Sequence, residues 1–593
     1  MSTIFTVELD SAAGLSGTMF KPPGWRWVQA GSIGWWVRVP WLDVLLGREG
    51  LRLEQWRAEG RVRIVKAGPY RVVSRVELPQ GAIYIKHYLV PDWRSTLRQW
   101  FRRGKGRNEG KRSRFLASMG IPTISPIALG ERRKRGFLFE NFLITPEIAD
   151  TLPLDEFLEE RLDDWDEPMR SRIRHQIAAE LGKLTARLHN AGLLHTDFHP
   201  GNLLVRMGPG DVPELIMIDL DALRRCWRVG TVRAIRNLAL LDHYFWLRSS
   251  RTDRRRFLKS YLEHRSMPGL NPRRLARGVE ESTRAWAERL WRRWGRRCRS
   301  TNKYFRVHAR PGTWCVAVRD FTPEELGDLL VDPDLPFRKP ETVVLKDSRT
   351  ATVAKTTLVL AGKPVPVIYK RFHRKKWFDP LLTLFRPSRA WRSWQAGQHL
   401  ASRGIPTPRN LAFLARKRRF RSHPLSWFLP RETYLVTHLQ ENAMPLSEYL
   451  RTTLADLDPA DRRSQVRHIG QALARLVRSL HERSLSHRDL KASNILIHTD
   501  ALQTNSFLSL IDLVGVQLLC PVPWSRKIQN LARLSVSLSQ APGRTRTESL
   551  RFLQTYLPWG LSPLSAWKRV WRATERAIDT KRSRNRRRGR PLS

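Results

Sequence analysis

Two short polar segments, about half a chain apart, repeat the same order of residue types. Each has a histidine, an aspartate two residues later and an asparagine five residues after that aspartate, and a further aspartate ends the next apolar strand. The two sets are His195, Asp197, Asn202 and Asp219, and His487, Asp489, Asn494 and Asp512. An aspartate that accepts the proton of a hydroxyl, beside amide and carboxylate oxygens that bind Mg²⁺, suits phosphoryl transfer from a nucleotide. The pattern therefore predicts two phosphotransferase sites.

The first set has a distinct expected role for each residue. Asp197 is the predicted catalytic base, Asn202 and Asp219 are the predicted metal ligands, and His195 is expected to brace the loop by hydrogen bonding. The second set offers the same roles at Asp489, Asn494, Asp512 and His487. Lys491, two residues after Asp489, is placed to meet a transferring phosphate. The first loop has His199 at that place, which is more typical of small-molecule kinases than of protein kinases.

A strand lysine and a helix glutamate are expected to complete the first site. Lys86 ends the predicted strand 82–86, where it is placed to reach the α- and β-phosphates of ATP, and Glu109 on the next helical stretch is its expected ion-pair partner. The second copy has Lys370, but Ser393 occupies the place of the glutamate. We therefore expect the second domain to be weaker, or to be a regulatory copy.

The repeat extends well beyond these residues. The two histidines are related by an offset of 292, and the helical stretch before each loop keeps that register. Nearer the start of each half the offset is 284, so that Gly120-Ile121-Pro122-Thr123 meets Gly404-Ile405-Pro406-Thr407. The difference is assigned to a loop insertion around 416–430. Two homologous domains follow from this order of matches.

The elements that must position these residues change character along each half. Short β-rich runs occupy 60–150, and a helical period takes over from 151 to about 300. We predict an α+β fold of two tandem bilobal protein-kinase-like domains, each with a β-rich N-lobe and a helical C-lobe. The predicted boundaries are a Trp- and Gly-rich leader 1–55, a first domain 56–300, a linker 301–340, a second domain 341–575 and a basic disordered tail 576–593.

Composition limits the partners. The chain of 593 residues has 106 basic and 55 acidic side chains, a net charge of +51. Such a charge favours polyanions, namely nucleic acid, anionic lipid headgroups or phosphorylated sugars, although an arginine-rich solvated surface is the simpler explanation. No apolar run approaches the roughly 20 residues of a membrane-spanning helix. We expect a cytosolic chain, with attachment to a membrane surface left open.

Several features of ordinary protein kinases are missing. Neither half has a Gly-x-Gly-x-x-Gly motif, and the corresponding runs are 66–70 and 346–350. The Asp-Phe-Gly triplet is replaced by Asp219-Leu220-Asp221 and Asp512-Leu513-Val514, and no Ala-Pro-Glu signature follows. These gaps argue against a protein kinase with a switchable activation loop.

In these respects the chain resembles the lipopolysaccharide kinase family of the Kdo/WaaP type, within the protein-kinase-like superfold. The resemblance rests on the two His-x-Asp loops, on the two Gly-Ile-Pro-Thr runs, and on Ile85-Lys86-His87-Tyr88 and Tyr369-Lys370-Arg371-Phe372. It implies ATP- and Mg²⁺-dependent phosphorylation of an inner-core sugar, Kdo or heptose. It also implies a peripheral location on the cytoplasmic face of a Gram-negative-type inner membrane. The family usually has one catalytic domain, so the duplication is a departure.

Two other hypotheses remain from the sequence. One is a protein kinase or another small-molecule kinase of the same superfold. The other is a catalytically dead scaffold that binds anionic lipid or nucleic acid through its charge. Retention of the base and both metal ligands in each half argues against the scaffold. The acceptor hydroxyl and the oligomeric state do not follow from the sequence.

Overall fold

The computed structural model describes residues 23–68, 71–89, 105–134, 137–267, 269–373, 387–417, 430–500, 507–557, 566–587 and 589. The chain divides into two compact units, residues 1–287 and 288–593. Three segments singled out in the sequence lie partly outside the described residues: 1–22 of the leader, 69–70 of the first glycine-loop equivalent and 418–429 of the loop insertion.

Unit 1 begins with a β-rich lobe. Among the described residues, seven of its strands form one antiparallel sheet in the order β1-β2-β8-β9-β7-β6-β5. Trp35, Ile83 and Ile144 are buried on this sheet, which supplies the core of the lobe. The elements are β1 Trp25–Ala30, β2 Ile33–Arg38, α1 Leu42–Leu45, β3 Leu46–Gly47, β4 Gly50–Leu51, α2 Leu53–Ala58, β5 Val62–Gly68, β6 Arg71–Val76, β7 Ile83–Leu89, α3 Lys105–Ser118, β8 Ala128–Lys134 and β9 Phe137–Pro146.

The second lobe of unit 1 is helical. Its long helix α5 buries Ile177, Leu181, Leu184 and Leu188, the apolar face expected from the helical period. Two small antiparallel sheets, β10-β12-β13 and β11-β14, carry the loops of interest. The elements are β10 Thr151–Pro153, α4 Leu154–Glu156, α5 Met169–Asn190, β11 Leu193–His195, β12 Leu203–Gly208, β13 Val212–Met217, β14 Leu223–Arg225, α6 Thr231–Phe245 and α7 Arg251–His264. Helix α8 Pro272–Arg297 begins in unit 1, and its residues from Glu288 belong to unit 2.

Unit 2 repeats this topology. Its sheet has the order β15-β16-β20-β21-β19-β18-β17, and its helical lobe has the small sheets β22-β24-β25 and β23-β26. The elements are β15 Phe305–Arg310, β16 Thr313–Val318, α9 Gly327–Val331, β17 Val343–Ser348, β18 Ala351–Leu360, β19 Lys363–Phe372, α10 Arg389–Ser402, β20 Asn410–Lys417, β21 Pro430–His438, β22 Ala443–Pro445, α11 Leu446–Arg451, α12 Pro459–Glu482, β23 Leu485–His487, β24 Ile495–His498, β25 Leu508–Leu510, β26 Val516–Leu518, α13 Trp524–Ser537, α14 Arg546–Tyr556 and α15 Ala566–Arg587. The expected α+β architecture of two bilobal domains is therefore confirmed.

The leader and the linker are corrected by the structure. The described part of the leader contains the hairpin β1–β2, and the predicted linker contains the hairpin β15–β16. Each hairpin hydrogen-bonds into its sheet through its second strand, β2 to β8 and β16 to β20. The two hairpins therefore belong to the N-lobes, and the repeat includes them. Unit 2 begins at Glu288, whereas the predicted first domain ran to residue 300 and the predicted second domain began at residue 341.

The predicted disordered tail 576–593 is also corrected. Helix α15 continues through Arg587, so residues 576–587 are helical, and positions 588 and 590–593 of the predicted tail lie outside the described residues. Ile578 is buried, and it extends the face formed by Val570 and Trp571 that packs on the helical core. Arginine is a good helix former, which explains why the basic run stays helical. None of the helices in the described residues combines the length and apolarity needed to cross a bilayer.

Candidate active site

The strand lysine and the helix glutamate of unit 1 are in contact. Lys86 Nζ donates to Glu109 Oε1 at 2.6 Å, and the Tyr88 hydroxyl donates to Glu109 Oε2 at 3.1 Å. Lys86 and Tyr88 are two residues apart on β7 and so lie on the same face of the sheet. The side chain of Glu109 is only 6% exposed and that of Lys86 17%. The glutamate is thus held by two donors and fixes the lysine in one place.

The loop after β11 presents the predicted base to solvent. The carboxylate of Asp197 is 78% exposed, with His199 Nε2 at 3.8 Å from it. Asn202 is buried, and its Nδ2 donates to the backbone carbonyl of Asp197 at 2.8 Å. Because the amide nitrogen of Asn202 is used in this bond, its Oδ1 is left as the acceptor or ligand atom. The loop therefore keeps the base accessible and orients the asparagine.

Asp219 lies beside this loop in an unusual backbone conformation. Its φ of 53° is left-handed, and the preceding residue Ile218 donates its N–H to the carbonyl of Asn202 at 3.0 Å. Arg71 of β6 approaches the Asp219 carboxylate at 3.7 Å, so a cation from the N-lobe already faces it. In the described residues no three His, Cys, Asp or Glu side chains converge on a metal position. Mg²⁺ normally uses one or two protein oxygens together with substrate phosphates, and Asn202 and Asp219 fit that donor set.

The Gly-Ile-Pro-Thr run has a structural task that the sequence did not reveal. The hydroxyl of Thr123 donates to the carbonyl of Met217 at 2.9 Å, and Met217 donates its N–H to the carbonyl of Pro122 at 2.9 Å. Thr407, Leu510 and Pro406 repeat both bonds in unit 2. The run therefore fixes the strand that ends in Asp219 or Asp512. Its recurrence in the same register was the available signal.

A buried polar network holds the backbone carbonyl of the loop histidine. His195 is 1% exposed, and its carbonyl accepts a hydrogen bond from Asn237 Nδ2 at 2.7 Å. Asn237 Oδ1 also contacts His189 Nε2 at 3.1 Å, and the Tyr261 hydroxyl contacts His189 Nδ1 at 2.8 Å. In unit 2, His481 contacts the Tyr556 hydroxyl at 2.8 Å and Asn530 at 3.2 Å, but Asn530 Nδ2 donates to the Ser486 hydroxyl at 2.7 Å. Burial lowers the pKa of His195 and so favours its neutral form.

This network predicts a loss of stability in mild acid. Burial lowers the pKa of His189 to about 4, whereas an unfolded histidine titrates near about 6.5. Between these two pH values the folded state therefore binds fewer protons than the unfolded state. The contribution of His189 to the free energy of unfolding, about 3 kcal/mol, is fully present above pH 6.5 and is lost as the pH falls towards 4. We expect His189→Gln to show a shallower fall in Tm than the wild type between pH 7 and pH 4.5. The matched control is His264→Gln, at an exposed position in the same unit. An unchanged slope in His189→Gln would contradict the argument.

The same residues are arranged differently in unit 2. Lys370 Nζ lies 3.2 Å from Asp512 Oδ1 and so pairs directly with the predicted metal ligand. Asp489 is 57% exposed, with Lys491 Nζ 3.3 Å from its carboxylate. Asn494 Nδ2 donates to the carbonyl of Asp489 at 2.8 Å, as in unit 1. The loop geometry is thus retained, while the lysine has a different partner.

The strand register shows what unit 2 lacks. Arg71 pairs with Tyr88 between β6 and β7, and Ala351 pairs with Phe372 at the same place in unit 2. A second link in unit 1 runs from Arg112 on α3, which donates to the Asp221 carboxylate at 3.3 Å and to the Leu220 carbonyl at 3.2 Å. The helix offset of 284 places Ala396 at the position of Arg112, and Val514 stands where unit 1 has Asp221. Charged or polar groups that surround the site in unit 1 are therefore apolar or small in unit 2: Ala351, Phe372, Ser393, Ala396 and Val514.

The seven-stranded lobe, the lysine strand and the His-x-Asp loop together define the protein-kinase-like class in each unit. The model of the lipopolysaccharide kinase (Kdo/WaaP) family matches residues 66–261 and 367–556, more than half of the chain. The chain belongs to this family. The two matched regions correspond to the two units, so the family domain is present twice.

Two curated relatives and two solved structures are also similar to parts of this chain. The chain is 27% identical over 188 residues to the lipopolysaccharide core heptose(I) kinase WaaP of Pseudomonas aeruginosa, covering 31% of this chain and 66% of that protein. It is 25% identical over 160 residues to the enzyme of the same name from Escherichia coli, covering 25% of this chain and 56% of that protein. A solved structure of WaaP in complex with acyl carrier protein matches at 21% identity over 45% of this chain and 97% of that chain, with a TM-score of 0.31. A rhoptry antigen kinase domain from Toxoplasma gondii matches at 13% identity over 37% of this chain and 81% of that chain, with a TM-score of 0.25.

Proposed function

We propose that unit 1 is an ATP- and Mg²⁺-dependent kinase that phosphorylates a sugar hydroxyl, on Kdo or heptose, in the inner core of lipopolysaccharide. The observation that carries this proposal is the buried contact of Lys86 with Glu109. Phosphoryl transfer depends on placing phosphate charge against fixed cations and on aligning the acceptor. The names of the curated relatives supply the acceptor class.

Each residue of unit 1 has a task in this reaction. Lys86, held by Glu109, binds the α- and β-phosphates of ATP. Asn202 and Asp219 would hold Mg²⁺, which would neutralise charge on the phosphates. Asp197, exposed at the loop, accepts the proton as the sugar oxygen bonds to the γ-phosphorus and ADP departs. His195 stays neutral and buried under the loop, and it takes no part in proton transfer.

Unit 2 is proposed to be the weaker or regulatory copy. Its Lys370 is paired with Asp512, so binding of a nucleotide with Mg²⁺ requires that ion pair to open. The Glu109 position is occupied by Ser393, which offers no carboxylate to hold the lysine. Asp489, Asn494 and His487 keep their loop, and Lys491 Nζ lies 3.3 Å from the Asp489 carboxylate, where it would meet a transferring phosphate. Residual nucleotide binding by unit 2 is compatible with this role.

The location follows from the acceptor and the charge. An acceptor anchored in lipid, together with a net charge of +51, supports peripheral attachment to the inner-membrane surface of a Gram-negative-type bacterium, on the cytoplasmic side where ATP is available. Nucleic acid is a weaker candidate partner, because charge alone supports it. A role as a catalytically dead scaffold is not favoured, since a scaffold has no need of the buried pair of Lys86 and Glu109.

The decisive experiment measures phosphate on the glycolipid. The full-length protein is incubated with ATP, Mg²⁺ and core lipopolysaccharide stripped of its phosphate, and the glycolipid is then weighed by mass spectrometry. We expect a mass increase of one phosphoryl group, dependent on ATP. The control is the protein with Asp197→Asn. Phosphate that appears on a protein while the glycolipid is unchanged would instead favour a protein kinase. If the wild-type protein transfers phosphate to neither acceptor and turns over no ATP, the scaffold would be favoured.

A further inference from the structure

The loop that follows the predicted metal ligand in unit 1 exposes a large aromatic side chain. Trp227 lies between β14 and α6 and is 102% exposed, and Val232 at the start of α6 is 63% exposed. The loop is nevertheless anchored on both sides of the tryptophan. Cys226 donates its N–H to the carbonyl of Gly192 at 2.7 Å, and the carbonyl of Val229 accepts from Arg265 Nη2 at 2.6 Å. The indole is therefore presented to solvent by a fixed backbone.

The surface around this tryptophan is basic. Residues 222–241 contain five arginines and no aspartate or glutamate. All five are exposed: Arg224, Arg225, Arg228, Arg233 and Arg236. We call these five arginines, with Trp227 and Val232, the Trp227 surface. Exposed apolar side chains and exposed arginines on one short segment match the interface of an anionic bilayer, where aromatic rings enter the headgroup region and cations meet the lipid charge.

This surface is tied to the catalytic loop. Strand β14 pairs with β11, so Arg224 and Arg225 lie opposite Leu194 and Leu193, just before His195. Thr196 donates both its N–H and its hydroxyl to the carbonyl of Ala222 at 2.9 Å. A membrane bound here would therefore be held at a constant distance from Asp197.

Unit 2 differs at the positions closest to the catalytic loop. The strand β26 aligns with β14, which puts Gln517 and Leu518 at the places of Arg224 and Arg225, and Cys520 at the place of Trp227. Trp524, at the start of α13, is 50% exposed and Arg526 and Lys527 follow it, but residues 516–523 contain neither arginine nor lysine. The fully exposed tryptophan and the two strand arginines of the Trp227 surface therefore have no counterpart at the same positions in unit 2.

We propose that the Trp227 surface docks unit 1 on an anionic lipid bilayer, with Trp227 inserted at the headgroup level. This inference rests on the proposed function in one respect, that the acceptor is a glycolipid in that bilayer. A nucleic acid would also meet the arginines, but stacking on bases makes no use of a second exposed apolar side chain, the aliphatic Val232. Two exposed apolar side chains on an arginine-rich segment therefore favour lipid.

The test compares binding of the full-length protein to vesicles. Vesicles of phosphatidylglycerol and phosphatidylcholine are sedimented with wild type, Trp227→Ser and the matched control Trp27→Ser, which changes a half-exposed tryptophan on β1. We expect Trp227→Ser to bind about tenfold more weakly and Trp27→Ser to bind as wild type does. Equal binding of Trp227→Ser and wild type would overturn the proposal. It would also be overturned if Trp227→Ser weakened binding of a single-stranded oligonucleotide while vesicle binding stayed the same.

Phosphorylation assays separate this proposal from the proposed function. Trp227→Ser is expected to phosphorylate delipidated core oligosaccharide as fast as wild type, but to lose several-fold in rate on lipopolysaccharide embedded in vesicles. If wild type phosphorylates neither acceptor, the proposed function fails, while the vesicle-binding result still decides the Trp227 surface. Equal rates of Trp227→Ser and wild type on the embedded acceptor would count against docking through this surface.

Discussion

Replacing Asp197 by asparagine is expected to lower the rate of phosphoryl transfer by about 10²–10⁴-fold, the usual contribution of a positioned general base. Asparagine keeps the size of the side chain, but it cannot accept the proton of the acceptor hydroxyl. The side chain of Asp197 is exposed, so the fold is expected to remain intact. The measurement is the steady-state rate of ADP formation with saturating acceptor, together with Tm as a check on folding.

The matched control is Asp489→Asn, because it makes the same change in the same loop of unit 2. We expect this variant to keep most of the wild-type rate, since Lys370 is paired with Asp512 and no carboxylate stands at position 393. If activity survives Asp197→Asn and disappears with Asp489→Asn, unit 2 is the catalytic copy. Equal losses of rate in the two variants would mean that both units catalyse phosphoryl transfer.

The second large effect is expected from the buried glutamate. Glu109→Gln removes the charge that holds Lys86, and it leaves a lysine that is largely buried without its counter-ion. Loss of one partner of a buried pair is worth about 3 kcal/mol or more, so we expect kcat/KM for ATP to fall by about 10²-fold. The rate is measured as a function of ATP concentration at saturating acceptor.

Tyr88→Phe provides a graded comparison. This change puts into unit 1 the residue that unit 2 already has at Phe372, and it removes one of the two donors to Glu109 while leaving Lys86 in place. One hydrogen bond to a charged group is worth about 1.5–3 kcal/mol, so the fall in kcat/KM should be smaller, about tenfold. Wild-type kinetics in Glu109→Gln, with an unchanged Tm, would refute the role given to the pair. If Tyr88→Phe lowered kcat/KM more than Glu109→Gln does, the Tyr88 hydroxyl would have a role other than its hydrogen bond to Glu109.

Much of the site could be predicted from the sequence because its spacing is local. The distances along the chain from His195 to Asn202 are short, and one loop conformation follows from them in both copies. The loss of the carboxylate at Ser393 was also evident from the register. The new partner of Lys370 could not be predicted from the sequence. A lysine without its glutamate pairs with a carboxylate that lies near it in space, and here that carboxylate belongs to Asp512, 142 residues away along the chain.

The hairpins at the start of each unit escaped prediction for a different reason. Residues 25–38 and 305–318 share almost no identities, yet they form the same pair of strands. A strand is accepted into a sheet through backbone hydrogen bonds and an inward apolar face, and many sequences satisfy both. Trp35 and Cys315 occupy the same buried place with very different side chains. Similar topology therefore survived where sequence similarity did not.

These hairpins have a practical consequence for dividing the protein. The matched family regions begin at residues 66 and 367, well after β2 and β16. Excising a unit at those points would remove the strand that pairs with β8 or β20 and leave a row of unpaired backbone N–H and C=O groups. Open strand edges of this kind recruit other chains, so such fragments are prone to aggregate. Fragments that begin before Trp25 or before Phe305 keep that edge covered.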